Sequence, residues 1–367
     1  MNLIKENNKS HIITLVKAFG IIFMVLAHSM PPEYLVWKII YCFHMPLFFI
    51  MSGYCFKDKY LHDTKQFIVR KIKGIYLPMV LFSLPILLLH NIFCSLYIYD
   101  PTWIYSWKDF LWNILRIISR MSHNEGMLGT FWFLKDLFFG NLIFYFLYKL
   151  ILKIPLDKKY YLPIVLSTLF LLSEICSVLH LRIPYFGIDE YCINAAIFIA
   201  VGYWWSLKDW KINTMLLWLI GIITIALKIY FIPETIFRNT TSITLLVFAV
   251  PAVVATMITW NICRFIYEYM SKMIITTLEK IGNYTLWIMA LHFLFFKLVS
   301  YIFILINDLP ITNLIDFPVL NVCINTPYMW GIYTIVGVIL PLVTGEIFSY
   351  SKTLYHNYFN VNYKHER

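Results

Sequence analysis

IITLVKAFGIIFMVLAHSMPPEYLVWKIIYCFHMPLFFIMSGYCF, residues 12–56, contains two apolar runs, 12–30 and 36–56, on either side of Pro31-Pro32. A helix needs about 20 mostly apolar residues to cross a bilayer, and each run has that length. Runs of this kind recur along the 367 residues, at 76–98, 131–151, 161–180, 191–207, 214–231, 241–261, 284–306 and 328–349. Length alone would suggest two or three soluble domains. Composition excludes that: 60% of residues are hydrophobic, 19% aromatic and 14% charged, with a mean hydropathy of +0.71. Soluble domains run at about 45–50% apolar and about 25% charged. The expected fold is all-α, a polytopic helical bundle of about ten transmembrane helices forming one domain over residues 1–367.

The formal net charge of +10 is read as a topology signal, not as a nucleic-acid surface. With ten spans, the tails and even-numbered connections hold nineteen Lys and Arg, including Lys57, Lys59, Lys65, Arg70, Lys71 and Lys73 in the second. The opposite connections hold five: Lys108, Arg116, Arg120, Arg182 and Arg238. Cytoplasmic loops carry the excess of positive charge, which predicts both termini in the cytoplasm. An even helix count agrees. The opening MNLIKENNKSHIITLVKAFG has no small-residue cleavage site before its apolar run, so it reads as a short cytoplasmic tail. Residues 99–130 form a long outer connection. There Trp107, Phe110, Leu111, Ile114, Ile117, Ile118 and Met121 recur at helical spacing, as in a helix lying on the interface or a partly buried loop helix. A similar cytoplasmic helix is expected within 262–283.

Seven scattered cysteines contain no CxxC pair, so no zinc site, other metal site or redox motif is predicted. Signatures for dinucleotides, P-loops, GxSxG nucleophiles and HExxH zinc sites are absent. What stands out is a set of ionisable groups at membrane depth, where each costs several kcal/mol unless paired or wetted. Lys17 and His28 lie eleven residues apart on the first helix, close to three full turns and about 16 Å along the axis, so both face one stripe. That suits a cationic anchor near the inner side and a proton-handling group near the outer side. The plainer reading is a snorkelling lysine and a hydrogen-bonded interface histidine. His44 lies beside the Pro46 kink, and Ser52-Gly53 would permit close helix approach. Lys135, Asp136, Glu174, His292, Lys297 and Glu346 complete the set.

ITLVKAFGIIFMVLAHS (13–29) followed by FHMPLFFIMSGYCF (43–56) resembles the opening of the integral-membrane acyltransferase family 3. VRKIKGIYLPMV (69–80), GTFWFLKDLFF (129–139) and EKIGNYTLWIMALHFLFFK (279–297) continue the resemblance, which is nearest to the fucose 4-O-acetylase-like branch. The resemblance implies a bacterial, multi-pass cytoplasmic (inner) membrane enzyme. It would move an acetyl or other acyl group from acyl-CoA to a hydroxyl of a cell-surface carbohydrate such as capsular polysaccharide, O-antigen or exopolysaccharide. By position, His28 matches the catalytic histidine, and Lys17 stands where the family has arginine, keeping charge but losing the planar fork. Arg70 and Lys71 match a basic cluster and, with Lys73 and Lys17, are expected to hold the donor. His44, Trp132 and His292 match motif positions, with Trp132 and His292 expected to meet the acceptor. Asp136 or Glu174 is expected to orient the His28 imidazole. No bound cofactor is expected, acetyl-CoA being a substrate. The rival class is an exporter or flippase for a polysaccharide or lipid-linked sugar, for which inverted repeats would argue. None is visible.

Overall fold

A computed structural model describes residues 2–365 except 182, 184–185, 209–212, 234 and 241. Arg182, Lys211 and Arg367 of the charge count lie outside the described residues, as does residue 241, the predicted start of the eighth span. Twelve long helices dominate. They are α1 (Asn2–Ser29), α2 (Leu35–Tyr54), α3 (Thr64–Leu88), α4 (Trp107–Arg120), α5 (Trp132–Ile151) and α6 (Lys158–Val178). There follow α7 (Glu190–Lys208), α8 (Thr214–Phe231), α9 (Ser242–Tyr269), α10 (Lys272–Asn283), α11 (Thr285–Ile306) and α12 (Pro327–His365). No strand occurs among the described residues, as the all-α expectation required.

Eight of these helices are long and apolar enough to cross a membrane, against ten predicted segments. Runs 131–151 and 191–207 are helical, as α5 and α7, but fall short in apolarity. α5 carries Lys135, Asp136 and Lys149, and α7 carries Asn194 and the aromatic run Tyr203-Trp204-Trp205. Both are sheltered. α7 packs against α2, α5 and α6, and most of its residues from Cys192 to Trp205 are buried. A helix enclosed by other helices does not have to satisfy lipid on every face.

The third predicted segment, 76–98, is displaced. α3 begins at Thr64, where the Asp63 carboxylate accepts a hydrogen bond from Gln66 N at 2.8 Å. The basic run 65–73, read from sequence as loop, is thus helical, since Lys and Arg are good helix formers once a cap is present. α3 passes through a π-turn at Ile72–Tyr76 before continuing from Leu77 to Leu88. α4 matches the amphipathic expectation and opens with a Ser106/Asp109 capping box. Its predicted stripe divides: Ile117 and Met121 are buried, whereas Trp107, Leu111 and Ile118 are exposed, joined by Trp112 and Leu115. The expected 262–283 helix divides: residues 262–269 continue α9, and α10 starts at Lys272, tied to α12 by a Lys280–Glu346 ion pair of 2.9 Å.

α2 and α7 are the central pair. A Cβ on Gly53 would lie 1.9 Å from the Ile199 carbonyl oxygen, and one on Gly202 would lie 1.9 Å from the Ile50 carbonyl oxygen. The two backbones therefore touch reciprocally, which only glycine permits. A valine at either position forces the helices apart. Gly202→Val is expected to cost about 3 kcal/mol or more, measured as a lower unfolding temperature in detergent. Gly331→Ala, inside α12 where nothing lies within 4 Å of the added carbon, is expected not to lower that temperature, alanine being the better helix former.

Candidate active site

The side chains Ile13, Lys17, Ile21 and Met24 form one stripe of α1 and line a cavity of about 470 Å³. Steps of four and three residues keep them on one face, and the next member of the stripe is His28. From α2 the wall receives Met45, Phe48, Met51 and Ser52; from α5, Phe133, Leu134 and Leu137; from α11, Thr285, Leu286 and Met289. Lys57, Arg70 and Lys71 complete it at the end nearer the N-terminus of α1, with Gly74 and Ile75 of the π-turn. One end is therefore cationic. The other is closed by methionines that precede His28 by four residues and His292 by three. Local π-turns recur at functional sites because they re-aim side chains without ending the helix; here the turn sits where α3 meets the cavity.

Beyond the methionines three histidines converge. His28 and His292 stack with centroids 5.5 Å apart and planes 29° apart. Phe293 stands edge-on to His28 at 5.1 Å and Tyr41 at 6.3 Å. Tyr41 in turn contacts His44 at 4.8 Å and stacks on Trp37 at 3.8 Å. His292 Nδ1 lies 3.1 Å from the Ile288 carbonyl and 3.0 Å from that of Met289, and His44 Nδ1 lies 2.9 Å from the Ile40 carbonyl. A carbonyl only accepts, so Nδ1 donates in both rings. In the neutral ring this leaves Nε2 as the acceptor. His292 Nε2 is buried without a hydrogen-bond partner. His28 is half-buried, and among the described residues no hydrogen bond engages its ring. Its nitrogens are thus open to an incoming group.

The predicted site residues divide into two groups. The structure brings together His28, His44 and His292, and separately sets Lys17, Arg70 and Lys71 along one cavity. Lys73 is exposed and does not line it; Lys57, counted only as a loop charge, takes its place. Among the described residues, Asp136 is bonded to no histidine. Its carboxylate lies 3.6 Å from Lys135 and 3.6 Å from Arg238, and Cys192 Sγ lies 3.5 Å away. Asp189 closes the cluster at 2.7 Å from Lys135 and 3.5 Å from Arg238. A buried lysine and a half-buried arginine next to Asp136 favour its charged form more than a neutral ring would. Trp132 belongs to the same group: the Arg238 guanidinium lies 5.2 Å over its ring, and Phe237 stacks on it at 5.9 Å. Glu174 is half-buried on α6 and, among the described residues, makes no ion pair or hydrogen bond. His292, expected to meet the acceptor, lies against His28.

Asp136, Asp189 and Cys192 are near enough to one another to hold a metal ion, but Lys135 and Arg238 already supply two positive charges there and disfavour a third. Tyr41 and Phe293 were missed, although both sit beside quoted motif histidines. Nothing in the sequence pairs the His28 end of α1 with the middle of α11. Comparison with curated proteins and with solved structures gave no match. The model of the acyltransferase domain of family 3 matches residues 10–346, which takes in the histidines, the basic cavity and every long helix but the start of α1 and the tail of α12. The chain belongs to acyltransferase family 3 and is a membrane acyltransferase.

Proposed function

We infer that the protein O-acetylates a hydroxyl of a bacterial cell-surface carbohydrate, such as capsular polysaccharide, O-antigen or exopolysaccharide, using acetyl-CoA from the cytoplasm. The observation that carries this reading is the single cavity whose one end is cationic and whose other end stops one turn short of two facing histidines. Coenzyme A is a polyanionic head on a long, nearly neutral arm. Arg70, Lys71 and Lys57 suit its phosphates, Arg70 through its planar fork. Lys17 suits the polar part of the arm deeper in. The apolar walls from Ile21 to Met289 suit the remainder and exclude water from the thioester. The excess of positive charge at the basic end supports a cytoplasmic placement of that end and of both termini, in the cytoplasmic membrane.

In the reaction that follows from this reading, a His28 ring nitrogen accepts the proton of the acceptor hydroxyl as its oxygen attacks the thioester carbonyl. The tetrahedral intermediate collapses, the C–S bond breaks, and the thiolate of coenzyme A takes the proton back from the imidazolium. His292 packs flat against the His28 ring and fixes its orientation, as does Phe293 from the edge. Its unpartnered Nε2 offers a second acceptor at the same point. Position, more than the intrinsic strength of a histidine base, then sets the rate.

His28→Ala, purified in lipid nanodiscs and correctly folded, is expected to lose about 10²-fold or more of its turnover while still binding acetyl-CoA. Near-normal acetyl transfer by this variant would refute the base assignment. For the donor, Arg70→Ala and Lys71→Ala are expected to raise the KM for acetyl-CoA by about tenfold each. The KM for S-acetylpantetheine, which has no phosphates, is expected not to change. Equal effects on both donors would show that these cations do not serve the phosphates.

A further inference from the structure

A second cavity, of about 660 Å³, lies at the opposite end of the bundle from the cationic rim. It is bounded by the chain after α3, the loop before α5 and the segment after α11. Tyr99, Trp103, Tyr105 and Phe317 supply rings to its wall; Asp100 and Asn124 supply polar groups. Pockets of about 300–1,000 Å³ with a few convergent polar groups are typical of small-molecule sites. Aromatic faces mixed with a carboxylate and an amide form the chemistry that recognises a sugar ring. C–H faces lie on the rings, and hydroxyls donate to the carboxylate and accept from the amide N–H.

These walls are held in place before any ligand arrives. His90 links Glu125 Oε2, 3.0 Å from Nδ1, to the Trp103 carbonyl, 2.7 Å from Nε2. Both His90 and Glu125 are buried. Burial pushes the Glu125 carboxyl up, and its hydrogen bond to His90 opposes this. Tyr105 stacks on His90 at 3.5 Å with planes 4° apart, and Asn91 grips both its backbone N–H at 2.8 Å and its carbonyl at 2.9 Å. Met127 N donates to the Tyr99 hydroxyl at 3.1 Å. Arg116 donates to Asn124 Oδ1 at 2.8 Å, which leaves the amide N–H groups for another partner. Trp103 remains 64% exposed. A loop whose backbone is fastened this thoroughly around an exposed ring is preorganised for recognition.

Two aromatic rings separate the cavity from His28. Phe317, in its wall, packs on Phe293 at 4.7 Å, and Phe293 stands 5.1 Å from His28. Lys297, buried one turn beyond Phe293 on α11, donates to the carbonyls of Leu314 at 2.7 Å and Asp316 at 2.5 Å and lies 5.6 Å from the Phe317 ring centre. One helix therefore carries a histidine of the reaction centre and the lysine that anchors this wall. We propose that this cavity is the acceptor subsite. It takes a pyranose ring against Trp103 and Tyr105, with Asp100 and Asn124 on its hydroxyls, and presents one hydroxyl past Phe317 to His28. Neither Trp132 nor His292 is then the principal acceptor contact. The proposal rests on the acyl-transfer reading for the fate of the hydroxyl, but not for the binding of the ring.

The test uses the full chain in nanodiscs and a panel of methyl pyranosides, measured twice: by saturation-transfer NMR for binding and by labelled acetyl-CoA for transfer. Trp103→Ala and Asp100→Asn are expected to raise the Kd and the acceptor KM about tenfold, with the acetyl-CoA KM as internal reference and Trp103→Phe restoring most of the loss. Trp107→Ala, on the exposed face of α4, is expected to change neither. If wild-type chain binds pyranosides and the variants do not, yet no acetyl moves, the subsite stands and the acyl-transfer reading falls. If no pyranoside binds, or if Trp103→Ala and Asp100→Asn bind as wild type does, the subsite is overturned whatever the transfer assay gives.

Discussion

Two backbones meet at Gly53 and Gly202, and the rest of the molecule is arranged around that contact. In lipid no hydrophobic force draws one apolar helix to another, so association depends on how closely the backbones approach. The reciprocal placement of each glycine against the other helix's carbonyl commits one side of α2 to α7. Phe48, Met51 and Ser52 then lie on the other side, where they face the cavity, and His44 follows two turns along the same side. The contact thus sets the rotation of α2 about its axis. A rotation of about half a turn would make this wall the α7 interface and remove the cavity's second face.

Enclosure by that pair also explains where charge is tolerated. α5 contributes Lys135 and Asp136, and α7 begins beside Asp189; neither helix is apolar enough to face lipid all round. Wrapped by α2, α6 and the turn that carries Arg238, they gather two acids and two bases in one partly buried cluster. Removing any one partner would leave an uncompensated charge in a medium that cannot hydrate it. The cluster is best read as a fastener that holds α5 and α7 to the turn before α9.

What was legible in the sequence follows from periods within single helices. Ile13, Lys17, Ile21, Met24 and His28 share a face by spacing alone, and Ser52-Gly53 announced a close approach without naming its partner. Arg70 and Lys71 could be placed near the donor by resemblance, but not on a helix, because a basic run resembles a loop until the Asp63 cap is seen. Contacts between distant segments were not legible. His292 reaches His28 from the far end of the chain. Asp136 was assigned to an imidazole because both sit at similar depth, whereas Arg238, from a short turn after α8, reaches it together with the adjacent Lys135. Depth can be counted along a helix, but azimuth relative to another helix cannot.

A donor that begins on one side of a membrane and an acceptor that begins on the other require something to cross between them. Moving phosphates inward would cost several kcal/mol for each charge, and a sugar would have to shed most of its hydrogen bonds to water. An acetyl group on a slender arm carries neither burden. On the acyl-transfer reading the cavity matches that difference: cations stop at Lys17, the walls above it are isoleucine, methionine, leucine and phenylalanine, and the histidines stand where those walls end. On the acyl-transfer reading, the arm alone enters. Phosphates stay with Arg70 and Lys71, the sugar stays with the aromatic loops at the opposite end, and His28 sits where the two can meet. A histidine suits that point because its neutral ring can be buried without a counter-ion and can still take a proton when a hydroxyl arrives. A permanently charged residue there would need a partner of its own, and among the described residues none is bonded to His28.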